Sequence, residues 1–210
     1  EVPAMGDYSS YAHTVTGHGD AAASTAQKKF GTHSIAFDGT GDYVSIPDND
    51  LWTLGTDWTV EFWVRFNVNQ KQAIIGQFSA ATVGGMAWMI HMESNNTIEA
   101  CCADGSTTFG YCVTGNIGAA NTWNHITYQR DSTNQFCLYV NGTPVYTRGH
   151  THTMQNLSLP LEMGRNTYAG LNSLNGYLDE VRISNVARYT YNTAFTPSTT
   201  PFTPDANTLL

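Results

Sequence analysis

The sequence predicts an all-β protein made of packed antiparallel sheets, and three observations carry that prediction. Apolar residues fall in short runs that Gly, Asn, Asp and Pro interrupt roughly every 8–12 residues. No window sustains the 3.6-residue apolar period of an amphipathic helix. Polarity comes from neutral residues, 28 Thr, 17 Asn and 13 Ser. Charged residues make up only 12% of the chain, against roughly 25% in an average domain, and this balance suits strands and turns better than helices.

The elements follow in order. Ser34-Ile-Ala-Phe-Asp38 and Asp42-Tyr-Val-Ser-Ile46 read as strands joined by Gly39-Thr40-Gly41. Trp58 to Phe66 alternates cleanly: Trp58, Val60, Phe62, Val64 and Phe66 share one face, and Thr59, Glu61, Trp63 and Arg65 the other. Gln72 to Gln77, Ala87 to Met92, Thr97 to Cys102 and Phe109 to Thr114 follow as strands, then Trp123 to Arg130 and Phe136 to Val140. Asn141-Gly142 next gives the strongest hairpin signal in the chain, because a type I′ turn needs positive φ at both central residues. Thr143 to Thr147, Leu159 to Gly164 and Gly176 to Ser184 complete the set. The helix-like pieces are Ala21 to Phe30 and Asn185 to Tyr189. About a dozen strands must form two packed sheets or a barrel. Residues 1–192 are expected to be one domain, and 193–210, with three of the seven prolines, an extended Pro/Thr-rich linker or tail. The chain starts at Glu1 without Met and stops at Asn207 to Leu210 like the opening of another strand, so an excised piece of a longer polypeptide is expected.

Composition also removes function classes. Nine Lys plus Arg against 17 Asp plus Glu give a net charge of −8, the wrong sign for a nucleic-acid or anionic-membrane binder. No apolar run reaches the roughly 18 residues of a membrane span. The four cysteines, Cys101, Cys102, Cys112 and Cys137, allow three complete pairings. A hairpin centred on Asp104-Gly105-Ser106 would bring Cys101 or Cys102 opposite Cys112 for a cross-strand disulfide. Buried thiols are the competing reading.

Six strings in order then resemble laminin G-like domains of the concanavalin A-like lectin/glucanase superfamily. They are Lys29 to Ile46, Trp58-Thr-Val-Glu-Phe-Trp-Val64, Trp123-Asn-His-Ile-Thr-Tyr-Gln-Arg130, Leu138-Tyr-Val-Asn-Gly142, Leu161-Glu-Met-Gly164 and Gly176 to Asn185. The resemblance implies a two-sheet antiparallel jelly-roll sandwich over about residues 7 to 192. The segment from Arg188 onward resembles modules of phage, virion and marine microbial surface proteins, which implies an extracellular or virion-surface setting.

Glycoside hydrolysis needs two carboxyl groups facing each other across the scissile bond. Asp57 and Glu61 have no carboxylate between them, Glu93 and Glu99 stand in separate strands, and adjacent Asp179 and Glu180 point to opposite faces of a regular strand. No nucleophile elbow, phosphate loop or His-Glu-x-x-His is present. The reading is therefore non-catalytic. The resemblance implies a structural Ca2+ held by Asp7 and Asp179, with Asp38 and Asp42 as secondary candidates that also read as turn residues. The apolar alternation slips at Asp179-Glu180, which predicts a β-bulge that re-aims a carboxylate. For glycan stacking the candidates are Trp63, Trp88, Tyr168 and Tyr177, although strand aromatics more often fill cores. Trp58, Phe62, Phe66 and Trp123 are assigned to the core; loops are where binding residues collect, and Ser79 to Gly85 and Thr167 to Asn175 are loops rich in Gly, Ala, Ser, Thr and Asn. His150-x-His152 has metal-ligand spacing but no third ligand nearby, and His125 reads as structural. The expected role is recognition, adhesion or decoration, with glycan or neighbouring subunits as partners. A glycan-degrading enzyme domain and a spacer in a tandem array are the alternatives.

Overall fold

The computed structural model describes residues 5–79, 82–165 and 171–210. Its strands are β1 (Thr16–His18), β2 (Ala22–Ser24), β3 (Ser34–Asp38), β4 (Tyr43–Ile46), β5 (Trp58–Phe66), β6 (Gln72–Phe78) and β7 (Met86–Met92). They continue as β8 (Ile98–Ala103), β9 (Thr108–Val113), β10 (Trp123–Arg130), β11 (Gln135–Val140), β12 (Thr143–Gly149), β13 (Leu161–Met163) and β14 (Asn175–Ser184). The first sheet has the order β1-β4-β13-β6-β7-β8-β9 and the second β12-β11-β10-β5-β14-β3-β2, seven strands each. The late strands β13 and β14 insert between early ones, antiparallel to both neighbours, so the two halves of the chain share each sheet. This is the two-sheet jelly-roll sandwich that the strand pattern and the resemblance implied.

The period-two pattern of β5 decides what lies between the sheets. Trp58, Val60, Phe62, Val64 and Phe66 enter the main core with Val44, Ile46, Ile74, Trp88 and Ile90 of the opposite sheet. Thr59, Glu61 and Trp63 point to the outer face, where the rest of the chain buries them as well. Trp123, assigned to the core from sequence, is only half-buried at the start of β10. The Asn141-Gly142 turn forms as the sequence predicts, with φ of 51° and 76°, and Val140 pairs with Thr143 across it. Gly142 has a second reason to be glycine: a Cβ there would stand 1.9 Å from the Phe195 carbonyl oxygen.

Three expectations change. Ala21 to Phe30 is not helical: Ala22–Ser24 pairs with Ser34–Ala36 as the edge of the second sheet, and ladder hydrogen bonds outweigh the helix propensity of the segment's four alanines. Asn185 to Tyr189 forms bends, not a helix. Residues 193–210 are extended, but they do not hang free as a linker. Phe195 stacks on Tyr189 at 3.5 Å between ring centroids, and its N–H donates to the Gly142 carbonyl at 2.9 Å. Arg182 lies over the Phe202 ring at 4.0 Å. Leu209 enters the main core, its N–H donating to the Ile183 carbonyl at 2.7 Å, and Thr208 bridges to Ser184. Phe195, Phe202 and Leu209 supply the apolar anchors that a free linker lacks.

The structure pairs none of the cysteines; all four are buried free thiols. A register shift between Ala100 and Cys102 sets Cys112 opposite Ala100 and Cys102 opposite Phe109. Cys102 and Cys112 belong to the main core, whereas Cys101 joins Phe78, Met86 and Met89 in a smaller cluster on the outside of the first sheet. Burial raises the Cys101 thiol to about 12, and burial likewise pushes up Cys102, Cys112 and Cys137, so all four are protonated at neutral pH.

Candidate functional site

A cleft of about 550 Å³ opens where β4 and β13 of the first sheet face β3 and β14 of the second. Ile46, Met163 and Leu178 line its apolar part, and Asp7, Phe30, Asp179, Glu180 and Phe202 contribute around it. Tyr8 also lines it while remaining 82% exposed. The volume falls in the range of small-ligand sites, and a mostly apolar lining with a few placed polar groups is the usual composition of such sites.

Sequence reasoning placed Asp7 and Asp179 together, and the structure puts both on this cleft. The predicted bulge aims Asp179. Between Asp179 and Arg182 the pairing with β5 slips by one residue, and Glu180 takes a positive φ of 52°. Neither carboxylate is free to build a calcium shell. Asp7 accepts from the Ser9 N–H at 2.7 Å, the Ser9 hydroxyl at 2.8 Å and the His13 N–H at 2.7 Å. Asp179 accepts from the N–H groups of Lys29 at 2.7 Å, Phe30 at 3.2 Å and Glu180 at 3.0 Å. Each therefore has about one of its four lone-pair sites left, while calcium takes six to eight oxygens. The pair does not fit the ion; the two residues tie down the N-terminal loop and the Lys29-Phe30 corner instead. Burial keeps the Asp179 carboxyl above its ordinary range despite those three N–H donors, and burial raises Glu180 as well. Asp38 and Asp42 are turn residues: Asp38 caps the Thr40 N–H, and Asp42 accepts from the N–H groups of Asp20 and Asp38.

The aromatic candidates do not converge. Trp63 is 6% exposed and roofed by Lys29, whose ammonium lies 3.7 Å from the ring centroid. Trp88 is fully buried, its indole N–H donating to the Trp52 carbonyl at 2.9 Å, so it is core and not a ligand contact. Tyr177 is half-buried on the outer face of the second sheet, 5.7 Å from Arg65. Tyr168 lies outside the described residues, as do parts of the loops Ser79 to Gly85 and Thr167 to Asn175. The exposed aromatic at the cleft is Tyr8, which strand periodicity could not select. Its signal is local: Asp7-Tyr8-Ser9-Ser10-Tyr11 sets two tyrosines beside an aspartate that holds the turn.

A second convergence is buried. Glu61, with no exposure, accepts from Arg182 Nε at 2.9 Å, Arg182 Nη2 at 2.6 Å and the Tyr189 hydroxyl at 2.6 Å. His125, also fully buried, has Nε2 3.3 Å from Glu61 without hydrogen-bond alignment. Burial opposes the charge on Glu61, but His125, Arg182 and Tyr189 together outweigh it and hold the carboxyl below the usual range. The Tyr189 and Phe195 rings, part of the docked C-terminal segment, cover this network; His125 is fully buried beneath them, not partly as a sequence reading of a structural histidine would have it. His150 and His152 follow β12 in a loop, not a strand. Their rings are 4.5 Å apart, and His152 pairs with Asp104. Glu93 and Glu99, set apart in sequence, are brought together around His91 by the pairing of β7 with β8.

Two seven-stranded antiparallel sheets with a ligand-sized cleft between them define a lectin-like β-sandwich. The profile of the concanavalin A-like lectin/glucanases superfamily matches residues 38–190, and the chain belongs to that family. No curated protein sequence matches it significantly. Among solved structures, it is similar to the receptor-binding domain of botulinum neurotoxin mosaic serotype C/D, with TM-score 0.67 and 16% identity over 89% of this chain. The binding domain of Paraclostridial Mosquitocidal Protein 1 is similar, with TM-score 0.62 and 14% identity over 88%. This chain spans 46% and 47% of those two chains. Domain 4 of the extracellular arabinanase AbnA from Geobacillus stearothermophilus, solved with arabinotriose, gives TM-score 0.58 and 14% identity over 82% of this chain and 81% of that one. At these identities the likeness is one of fold.

Proposed function

We propose that this chain is a non-catalytic recognition domain that binds glycan at the cleft between the two sheets. The observation that carries the reading is Tyr8, an 82% exposed ring beside a 550 Å³ cleft whose walls combine apolar surface with the Glu180 carboxylate, which accepts from the Phe202 N–H and keeps oxygen lone pairs for a ligand. Glycans present apolar ring faces that stack on aromatics, and hydroxyls that bond to carboxylates. A fold shared with receptor-binding domains and with a domain solved on arabinotriose supports it. The setting we infer is extracellular, on a cell or virion surface, and the virion part rests on the segment from Arg188 onward. Catalysis is not part of the proposal, because the cleft's Asp7 and Asp179 are spent on N–H donors.

The test is a glycan array with the parent chain and Tyr8→Ala. Tyr8 is largely solvent-exposed, so the variant retains the parent melting temperature and loses at least about tenfold in affinity, one stacking contact's worth. A blank array, or unchanged binding in the variant, refutes the reading. Release of reducing ends from a polysaccharide, abolished by a carboxylate substitution, would replace it with the enzyme reading.

A further inference from the structure

Away from the cleft, the β7–β8 hairpin gathers side chains on the outer face of the first sheet. His91 stands opposite Glu99 in the ladder, and Glu93 follows at the strand end, where its N–H donates to the Thr97 carbonyl at 2.8 Å. His91 Nε2 lies 3.0 Å from Glu93 Oε1 and 3.5 Å from Glu99 Oε2, and the three ligand atoms are within 4.8 Å of one another. A tetrahedral zinc ion with bonds of about 2.0–2.1 Å holds its ligand atoms roughly 3.3 Å apart, so the two histidine–carboxylate spacings bracket the one required. His91 is 5% exposed and its Nδ1 has no hydrogen-bond partner, while Glu93 and Glu99 are 21% and 19% exposed at the side chain. Nε2 of this buried imidazole, hydrogen-bonded to Glu93 Oε1, is thus flanked by two partly exposed carboxylates; the orphan Nδ1 is the other ring nitrogen. The group already holds one cation: Lys71 Nζ is 2.5 Å from Glu93 Oε1.

We propose that His91, Glu93 and Glu99 form a site for one divalent transition-metal cation of the zinc type, with a further position open to water. The nitrogen ligand sets it apart from calcium and magnesium sites, which are built of oxygens. Lys71 shares a carboxylate oxygen with the incoming ion and so competes with it.

Zn2+ titrated into the chelator-stripped chain, followed by calorimetry and, with Co2+ as a spectroscopic substitute, by visible absorption, is expected to show one ion per chain. Ca2+ and Mg2+ are expected to give no saturable signal. Glu93→Gln and Glu99→Gln, both partly exposed positions, each weaken Zn2+ binding by more than about tenfold. Lys71→Met tightens it severalfold, a gain that lost packing does not produce. His152→Ala, at the other histidine pair, leaves the affinity unchanged. Absence of saturable Zn2+ uptake, parent-like affinity in both Gln variants, or loss of binding in His152→Ala would overturn the assignment.

Discussion

Replacing Arg182 by Met tests the Glu61 network most directly. The substitution keeps the apolar stem that supports Phe202 and removes the guanidinium that donates to Glu61 at 2.9 and 2.6 Å. Glu61 has no exposure, so its charge would be left with Tyr189, His125 and the more distant Arg188, whose Nε is 4.0 Å from Oε1. Removing one partner of a buried pair costs about 3–5 kcal/mol. In a domain of this length that lowers the melting temperature by roughly 6–20 °C. The pH dependence has a definite sign. The folded carboxyl titrates below its unfolded value of about 4.3, so its contribution is present above that pH and is lost as pH falls through the lower folded value. Without Arg182 the burial penalty gains weight, the folded value rises, and acid unfolding of Arg182→Met moves to higher pH than in the parent. Urea melts between pH 3 and 8 on the parent, Arg182→Met, Glu61→Gln and the double variant give both quantities. The double variant leaves no unpaired charge and recovers part of the loss. A cost below about 1 kcal/mol for Arg182→Met, or strictly additive single effects, refutes the reasoning.

Other consequences can be checked alongside it. Leu209→Ala, at a core position 3% exposed, lowers stability by about 2–5 kcal/mol in a urea melt, whereas a free tail would give no change. Millimolar Ca2+ added to metal-free protein leaves the melting temperature unchanged, because a ligand that binds the folded state must raise it and Asp7 and Asp179 have spent their oxygens. A thiol reagent at pH 8 labels none of Cys101, Cys102, Cys112 or Cys137 in the folded chain and all four in denaturant; fast labelling of the folded chain contradicts their burial.

Much of the fold is legible because it is local. The alternation in β5, the Asn141-Gly142 hairpin and the slip at Asp179-Glu180 are each written within ten residues, and each forms as read. The misreadings share a different cause. Ala22–Ser24 looks helical until Ser34–Ala36 lies beside it. Residues 193–210 look like a linker until Tyr189, Gly142 and Ile183 receive them. The cysteine hairpin looks ready to bridge until a one-residue register shift offsets it.

By itself the sequence determined the class of sandwich, the side of each central strand that faces the core, and the composition that argues against nucleic-acid binding. Only the tertiary structure decided which polar groups meet. Glu61 and Arg182 are 121 positions apart, Lys29 and Asp179 150, and His91 and Glu99 face each other through strand register. Periodicity reports which face a side chain takes, because that is set by the backbone of its own strand. Which strand lies alongside, and in what register, is set by the packing of the whole chain, and that is where the chemistry of the sites is made.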